Sequence, residues 1–161
     1  MSLSIRTAGP GDAALVLRFI RELAEYEKLG HQVEASEADI TRDLFGERPR
    51  VFCDIAEWAG EPVGFALWFY TYSTFQGRHG LWLEDLFVDP AHRGKKIGRE
   101  LMLNLARRCV DEGLGRFAWW VLDWNAPSIE FYKSLGAVPQ DEWTVCRIEG
   151  EALQALAARW A

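Results

Sequence analysis

The chain has 161 residues, 49% of them apolar and 26% charged, and a formal net charge of −6; that length fits one domain hiding roughly 70% of its unfolded surface. The acidic balance excludes a general binder of nucleic acid or of anionic membranes, and no run approaches the ~18 apolar residues of a membrane span. Met1-Ser2-Leu3-Ser4 leads into strand-like sequence without an apolar leader, and Cys53, Cys109 and Cys146 lack C-x-x-C spacing, so the expectation is a cytoplasmic protein with reduced, buried thiols.

In chain order, residues 3–7 read as a short strand. Gly9-Pro10-Gly11-Asp12 breaks the chain and caps a helix to about Tyr26, with an apolar stripe of Leu15, Val16, Phe19, Ile20, Leu23 and Ala24. Ser36 caps a second helix through Phe45, with Glu37 and Asp39 in its first turn. Residues 51–58 and 63–72 read as a hairpin around Ala59-Gly60-Glu61-Pro62, and residues 81–88 as a further strand. The longest helix spans residues 96–112, with Gly113 as its stop. Residues 117–122 are almost continuously apolar, which suits a strand buried on both faces. Asn125 caps a short helix ending at Leu135-Gly136; a last strand over residues 143–148 and a helix over residues 151–160 close the chain. The pattern predicts a mixed α/β single domain over residues 3–161. Most of the eight tryptophans, the Trp119-Trp120 pair included, are expected in the core or a pocket wall.

Leu83 to Leu101 carries the strongest functional signal. A strand pattern stops at Asp89-Pro90, the basic turn Arg93-Gly94-Lys95-Lys96-Ile97-Gly98 follows, and an amphipathic helix begins at once. That order directs backbone N–H groups and a helix N-terminus at one spot, where both favour a phosphate. The turn is neither a G-x-x-x-x-G-K-[ST] loop nor a G-x-G-x-x-G turn. His31, His79 and His92 are scattered without ligand spacing, and no metal site is expected.

A second strand–helix unit, Val121-Leu122-Asp123-Trp124-Asn125-Ala126-Pro127-Ser128-Ile129-Glu130-Phe131-Tyr132, runs on to Gly136-Ala137. With it, the chain resembles the GCN5-related N-acetyltransferase superfamily across about residues 3 to 158. Within that superfamily, the segments 21–29, 72–77 and 150–153 are similar to the diamine acetyltransferase branch, which acts on spermidine, spermine or thialysine. The resemblance implies a mixed, mostly antiparallel sheet splayed between two central strands, flanked by helices. It also implies acetyl-CoA as co-substrate, a homodimer, and direct transfer in a ternary complex without a cysteine intermediate.

The same resemblance implies the site. Backbone groups of Leu86, Phe87 and Val88 pair with pantetheine like an added strand, and Arg93, Gly94, Lys95, Lys96, Ile97, Gly98 and Arg99 hold the pyrophosphate. Asn125 bonds the pantetheine arm with Ser128 beside it, and Tyr132 is the general acid near the thioester sulfur. Lys96 replaces a glycine usual in the family turn. A left-handed backbone there costs roughly 1–2 kcal/mol in a non-glycine residue; the preferred reading is a helical Lys96 whose ammonium attracts the pyrophosphate.

Acetyl transfer needs a neutral amine, and neutralising an alkyl ammonium at pH 7 costs roughly 4–5 kcal/mol. A nearby carboxylate attracts the cation and accepts its proton. The resemblance implies Glu84 as that base; in a regular strand it shares a face with apolar Leu86 and Val88, opposite Asp85 and Phe87, and such surroundings raise a carboxylate's pKa. Asp85 is the rival, read as structural. The resemblance also implies that Glu27 binds the distal amine and that Phe75 lines the acceptor groove. Ser73 stands where the spermidine enzyme has an acidic residue, which shifts the acceptor toward a short diamine or an aminoethyl amino acid such as thialysine. The alternatives are a catalytically weak acyl-CoA sensor, a polyamine acetyltransferase, and an enzyme acting on protein N-termini, against which Glu27 and Phe75 weigh.

Overall fold

The computed structural model describes residues 2–160, which form two compact units divided between Leu122 and Asp123. The first unit is built on a five-stranded sheet in the order β1-β2-β3-β4-β5. The strands are β1 (Leu3–Thr7), β2 (Phe52–Trp58), β3 (Glu61–Ser73), β4 (Arg78–Val88) and β5 (Phe117–Trp119). Neighbours are antiparallel except β4 and β5, which run parallel. The helices are α1 (Ala13–Tyr26), α2 (Glu37–Phe45) and α3 (Ile97–Asp111).

One sheet face carries α1 and α2. Phe65, Leu67 and Phe87 from the sheet, Val16, Leu17 and Phe19 from α1, and Ile40 and Leu44 from α2 make one buried cluster. Phe19 stacks on Phe65 with ring centroids 5.4 Å apart and tilts against Phe87 at 5.9 Å. Ser36 starts α2 as its sequence predicts: its Oγ accepts from the Asp39 N–H at 3.2 Å, and the Asp39 carboxylate accepts from the Ser36 N–H at 2.9 Å. The opposite face is covered by α3 through Ile97, Leu101, Met102 and Leu105, all buried. Beneath α3 lies the buried carboxylate of Asp54, which accepts from Trp68 Nε1 at 3.3 Å and Asn104 Nδ2 at 3.2 Å. Arg108 stands 3.9 Å from Asp54 and lies over the Trp68 ring, so this charge is buried with partners.

The second unit holds α4 (Ala126–Ser134) and α5 (Gly150–Ala157). The predicted last strand over residues 143–148 is absent from the structure. A strand needs a partner to take up its N–H and C=O groups, and no described strand pairs with this stretch. Residues 117–122 also depart from expectation: pairing stops at Trp119, and the strand is half-buried because it lies at the edge of the sheet, with β4 as its one described partner. Of the eight tryptophans only Trp68 is buried, and Trp120 is 60% exposed; Cys53 and Cys109 are buried as expected, Cys146 is exposed.

Phe19→Ala empties the space between Phe65 and Phe87 and is expected to lower unfolding free energy by about 3–5 kcal/mol in urea denaturation.

Candidate functional site

Between β3 and β4 the register skips a residue: Leu67 faces Asp85 and Trp68 faces Leu83, leaving Glu84 as the extra residue of a β-bulge. Because opposed residues share a face, the skip reverses the alternation of β4. Leu81 and Leu83 lie opposite Tyr70 and Trp68, on the side of α3, whereas Asp85 and Phe87 lie opposite Leu67 and Phe65, on the side of α1 and α2. Trp82, opposite Phe69, is also on the α1 side, and its Nε1 donates to Glu84 Oε2 at 2.8 Å. Glu84 and Asp85 therefore share a face, correcting the expectation that they oppose each other. Glu84 is also exposed rather than set among apolar side chains, and it is Asp85 that is half-buried.

Glu27, the residue that caps the C-terminus of α1, completes a cluster of three carboxylates. Burial pushes the Asp85 carboxyl up to about 7, and the Glu84 and Glu27 charges add to it. Burial, then the Glu84 charge, also raises Glu27 above the usual range. An ammonium is the natural guest of such a cluster, since it relieves the mutual repulsion. The sequence reading names Asp85 only as a structural rival of Glu84; the signal that sets it in the cluster is two adjacent acids inside an apolar strand, a pattern that a bulge turns to one face.

The parallel pairing of β4 with β5 covers Leu81, Trp82 and Leu83, opposite Phe117, Ala118 and Trp119. From Glu84 to Val88 no described strand pairs with that edge of β4, so Leu86, Phe87 and Val88 lie on an open strand edge, a seat for an extended amide-bearing guest. The chain then turns through Pro90–His92 and Gly94, at φ 82°, to the start of α3. Lys96 has φ 63° and ψ 14°, so it is left-handed and not helical; the preferred reading of that residue is corrected, and the conformational cost applies. Such a kink stops the chain short of a side-chain cap, and the first amides of α3, at Ile97, Gly98 and Arg99, receive none. Arg93 lies 5.0 Å from the Tyr26 ring centroid, and Lys95 lies 4.9 Å from that of Trp58. The basic turn is thereby tied to α1 and to the β2–β3 hairpin. Its free amides, helix dipole and cations suit a diphosphate.

Phe75, 97% exposed, stands on the β3–β4 turn, where the Gln76 N–H donates to Ser73 Oγ at 3.2 Å. In the second unit Asn125 is buried, and its side-chain oxygen accepts from the Ser128 N–H at 3.4 Å, the N-cap that the sequence predicts for α4. Tyr132 is half-buried on α4, its ring 5.3 Å from that of Phe131. A hollow of about 770 Å³ at the end of α2 and the loop after it, lined by Arg42, Asp43, Glu47 and Arg48, contains none of these residues and does not bear on their chemistry. Among the described residues no group of three His, Cys, Asp or Glu stands at metal-binding spacing, and no helix is long and apolar enough to cross a membrane.

A mixed sheet that splays at a bulged strand and feeds a basic turn at a helix start is the architecture of the acyl-CoA N-acyltransferases. Residues 17–137 match the model of the acetyltransferase (GNAT) family, and the chain belongs to that family. It is 43% identical to a thialysine N-epsilon-acetyltransferase of Sus scrofa, over 98% of this chain and 99% of that one. It is 29% identical to an L-ornithine N5-acetyltransferase of Arabidopsis thaliana, over 94% and 86% of the two chains. An integron cassette protein of V. cholerae superposes with a TM-score of 0.82 at 29% identity, over 98% of each chain.

Asp85 makes stability depend on pH. Its folded pKa of about 7 exceeds the ordinary carboxylate value, so the folded chain holds a proton that the unfolded chain releases, and stability falls as pH rises from about 4 to about 7. Asp85→Asn removes that loss. In urea denaturation, the variant is expected to gain on the parent between pH 5 and pH 8; an equal difference at both pH values would show that another group titrates.

Proposed function

We propose that this amine acetyltransferase moves the acetyl group of acetyl-CoA to a primary amine of a small acceptor, a short diamine or an aminoethyl amino acid of the thialysine kind. The observation that carries the reading is the acidic cluster of Glu27, Glu84 and Asp85, set where the open edge of β4 begins. The relation to the thialysine acetyltransferase supports the acceptor class.

In this reading Leu86, Phe87 and Val88 offer backbone groups to pantetheine, and the amides and cations from Arg93 to Arg99 hold the pyrophosphate. Asn125 and Ser128 serve the pantetheine arm. Bound acetyl-CoA supplies a thioester carbonyl as electrophile. The acceptor arrives as an ammonium drawn by the three carboxylates, Glu27 among them, with Phe75 bordering the groove. Glu84 takes the proton, directly or through water, and Asp85 beside it titrates close to neutrality, where a base is most effective. The freed nitrogen pair forms the C–N bond as the C–S bond breaks, Tyr132 protonates the leaving thiolate, and the second proton that the acylated nitrogen sheds returns to the Tyr132 phenolate directly or through water. Transfer is direct in this reading: no cysteine is among the residues assigned to the site, and burial pushes the thiols of Cys53 and Cys109 up, away from thiolate nucleophiles.

Tyr132→Phe is expected to lower kcat about 10²–10⁴-fold, the usual weight of a positioned acid, without loss of folded protein by circular dichroism. A kcat equal to the parent's would remove Tyr132 from the role.

The active species is proposed to be a homodimer. Val138, Trp143, Val145 and Ile148 are exposed along a stretch that no described strand pairs with, and Leu153, Leu156 and Trp160 are exposed beyond it. A second copy supplies both the missing ladder and the apolar cover. Sedimentation velocity at micromolar concentration is expected to show a dimer that Trp143→Asp dissociates; a parent sedimenting as a monomer would overturn it.

A further inference from the structure

The sheet face that carries Glu84 and Trp82 continues along β4 to Gly80, with Ala118 of β5 alongside. Neither has a side chain of any size, and a cavity of about 220 Å³ opens there, bordered by Thr71, Ser73, Gln76 and Arg116. A Cβ built on Gly80 would meet Thr71 Oγ1 at 2.8 Å, the Arg116 carbonyl oxygen at 3.0 Å and Arg116 Cβ at 3.5 Å, so the wall here admits glycine alone, and Arg116 stands on the rim of the hollow. Arg116 is exposed and forms no ion pair with any described residue.

The order of chemistry along this face is then three carboxylates, the indole of Trp82, a hollow, and an uncommitted guanidinium. Gly80 lies four residues from Glu84, about 13 Å along the strand. A glutamate side chain from one end, an arginine side chain from the other and a short acceptor between them span that interval. A ligand that satisfies both ends carries an ammonium at one terminus and a carboxylate at the other. A diamine leaves the guanidinium without its anion and sets a second ammonium beside it.

We infer that Arg116 binds the α-carboxylate of an amino-acid acceptor whose side-chain amine lies at Glu84 and Asp85, and so selects such acceptors over diamines of the same length. The planar guanidinium meets a carboxylate with two parallel hydrogen bonds, a fit a lone ammonium lacks. Ser73 on the same rim adds no negative charge to compete with that carboxylate. The inference rests on the acetyltransferase reading and assigns its specificity.

The test compares S-(2-aminoethyl)cysteine with bis(2-aminoethyl) sulfide, which differ by the carboxylate alone, as acceptors for the parent, Arg116→Gln and Arg116→Lys. The parent is expected to prefer the amino acid. Arg116→Gln is expected to shrink that preference about tenfold, the usual weight of one charge-assisted pair, through KM rather than kcat; Arg116→Lys restores part of it. A preference ratio equal in the parent and Arg116→Gln would overturn the assignment and leave the acetyltransferase reading intact. No acetyl transfer by the parent to either acceptor would overturn both.

Discussion

One extra residue in β4 organises this protein. With regular alternation, Phe87 would follow Leu81 and Leu83 to the α3 side, and the cluster under α1 would lose one of the rings that hold Phe19. The bulge at Glu84 lets a single strand feed two cores, Leu81 and Leu83 to one and Phe87 to the other. It also turns two adjacent acids to the same side and falls one residue beyond the last pairing with β5. Packing, electrostatics and the open edge thus share one origin, in keeping with the tendency of bulges to lie beside active sites.

Much of this was legible before any coordinates. The apolar periods of α1 and α3, the cap at Ser36 and the strand–turn–helix order after Leu83 are local signals, and local physics decides them. The family resemblance likewise rests on residues contiguous in sequence. The register of β4 was not legible, because Leu-Glu-Asp-Leu-Phe obeys alternation on either side of the slip and only the opposing strand counts the residues. Lys96 misled for a related reason: a lysine ahead of an amphipathic run reads as helix, and only the sharp entry into α3 demands a left-handed backbone. The exposed tryptophans misled because composition reports apolar content but not whether the chain alone is to cover it.

Charge is distributed with similar economy. The chain is acidic as a whole, yet Arg93, Lys95 and Lys96 gather at the start of α3, two of them lying against aromatic rings. Arg108, toward the far end of α3, is held under that helix by Asp54 and Trp68. That buried network fixes the far half of α3 with directional bonds, while apolar side chains seat its beginning. The helix start that faces the basic turn therefore belongs to a well-anchored element.

The acidic cluster is assembled from two elements distant in sequence: Glu27 ends α1, and Glu84 and Asp85 lie on β4. Their repulsion opposes the docking of α1, and the stack of Phe19 between Phe65 and Phe87 holds it down. Any cation that enters the cluster acts as a counter-ion for the fold itself, so acceptor capture and helix docking are linked equilibria. Ionic strength enters the two terms with opposite signs: dissolved salt screens the repulsion that opposes docking, and it also screens the attraction that draws the ammonium in. The acceptor is, in this sense, the missing positive end of a structural ion cluster.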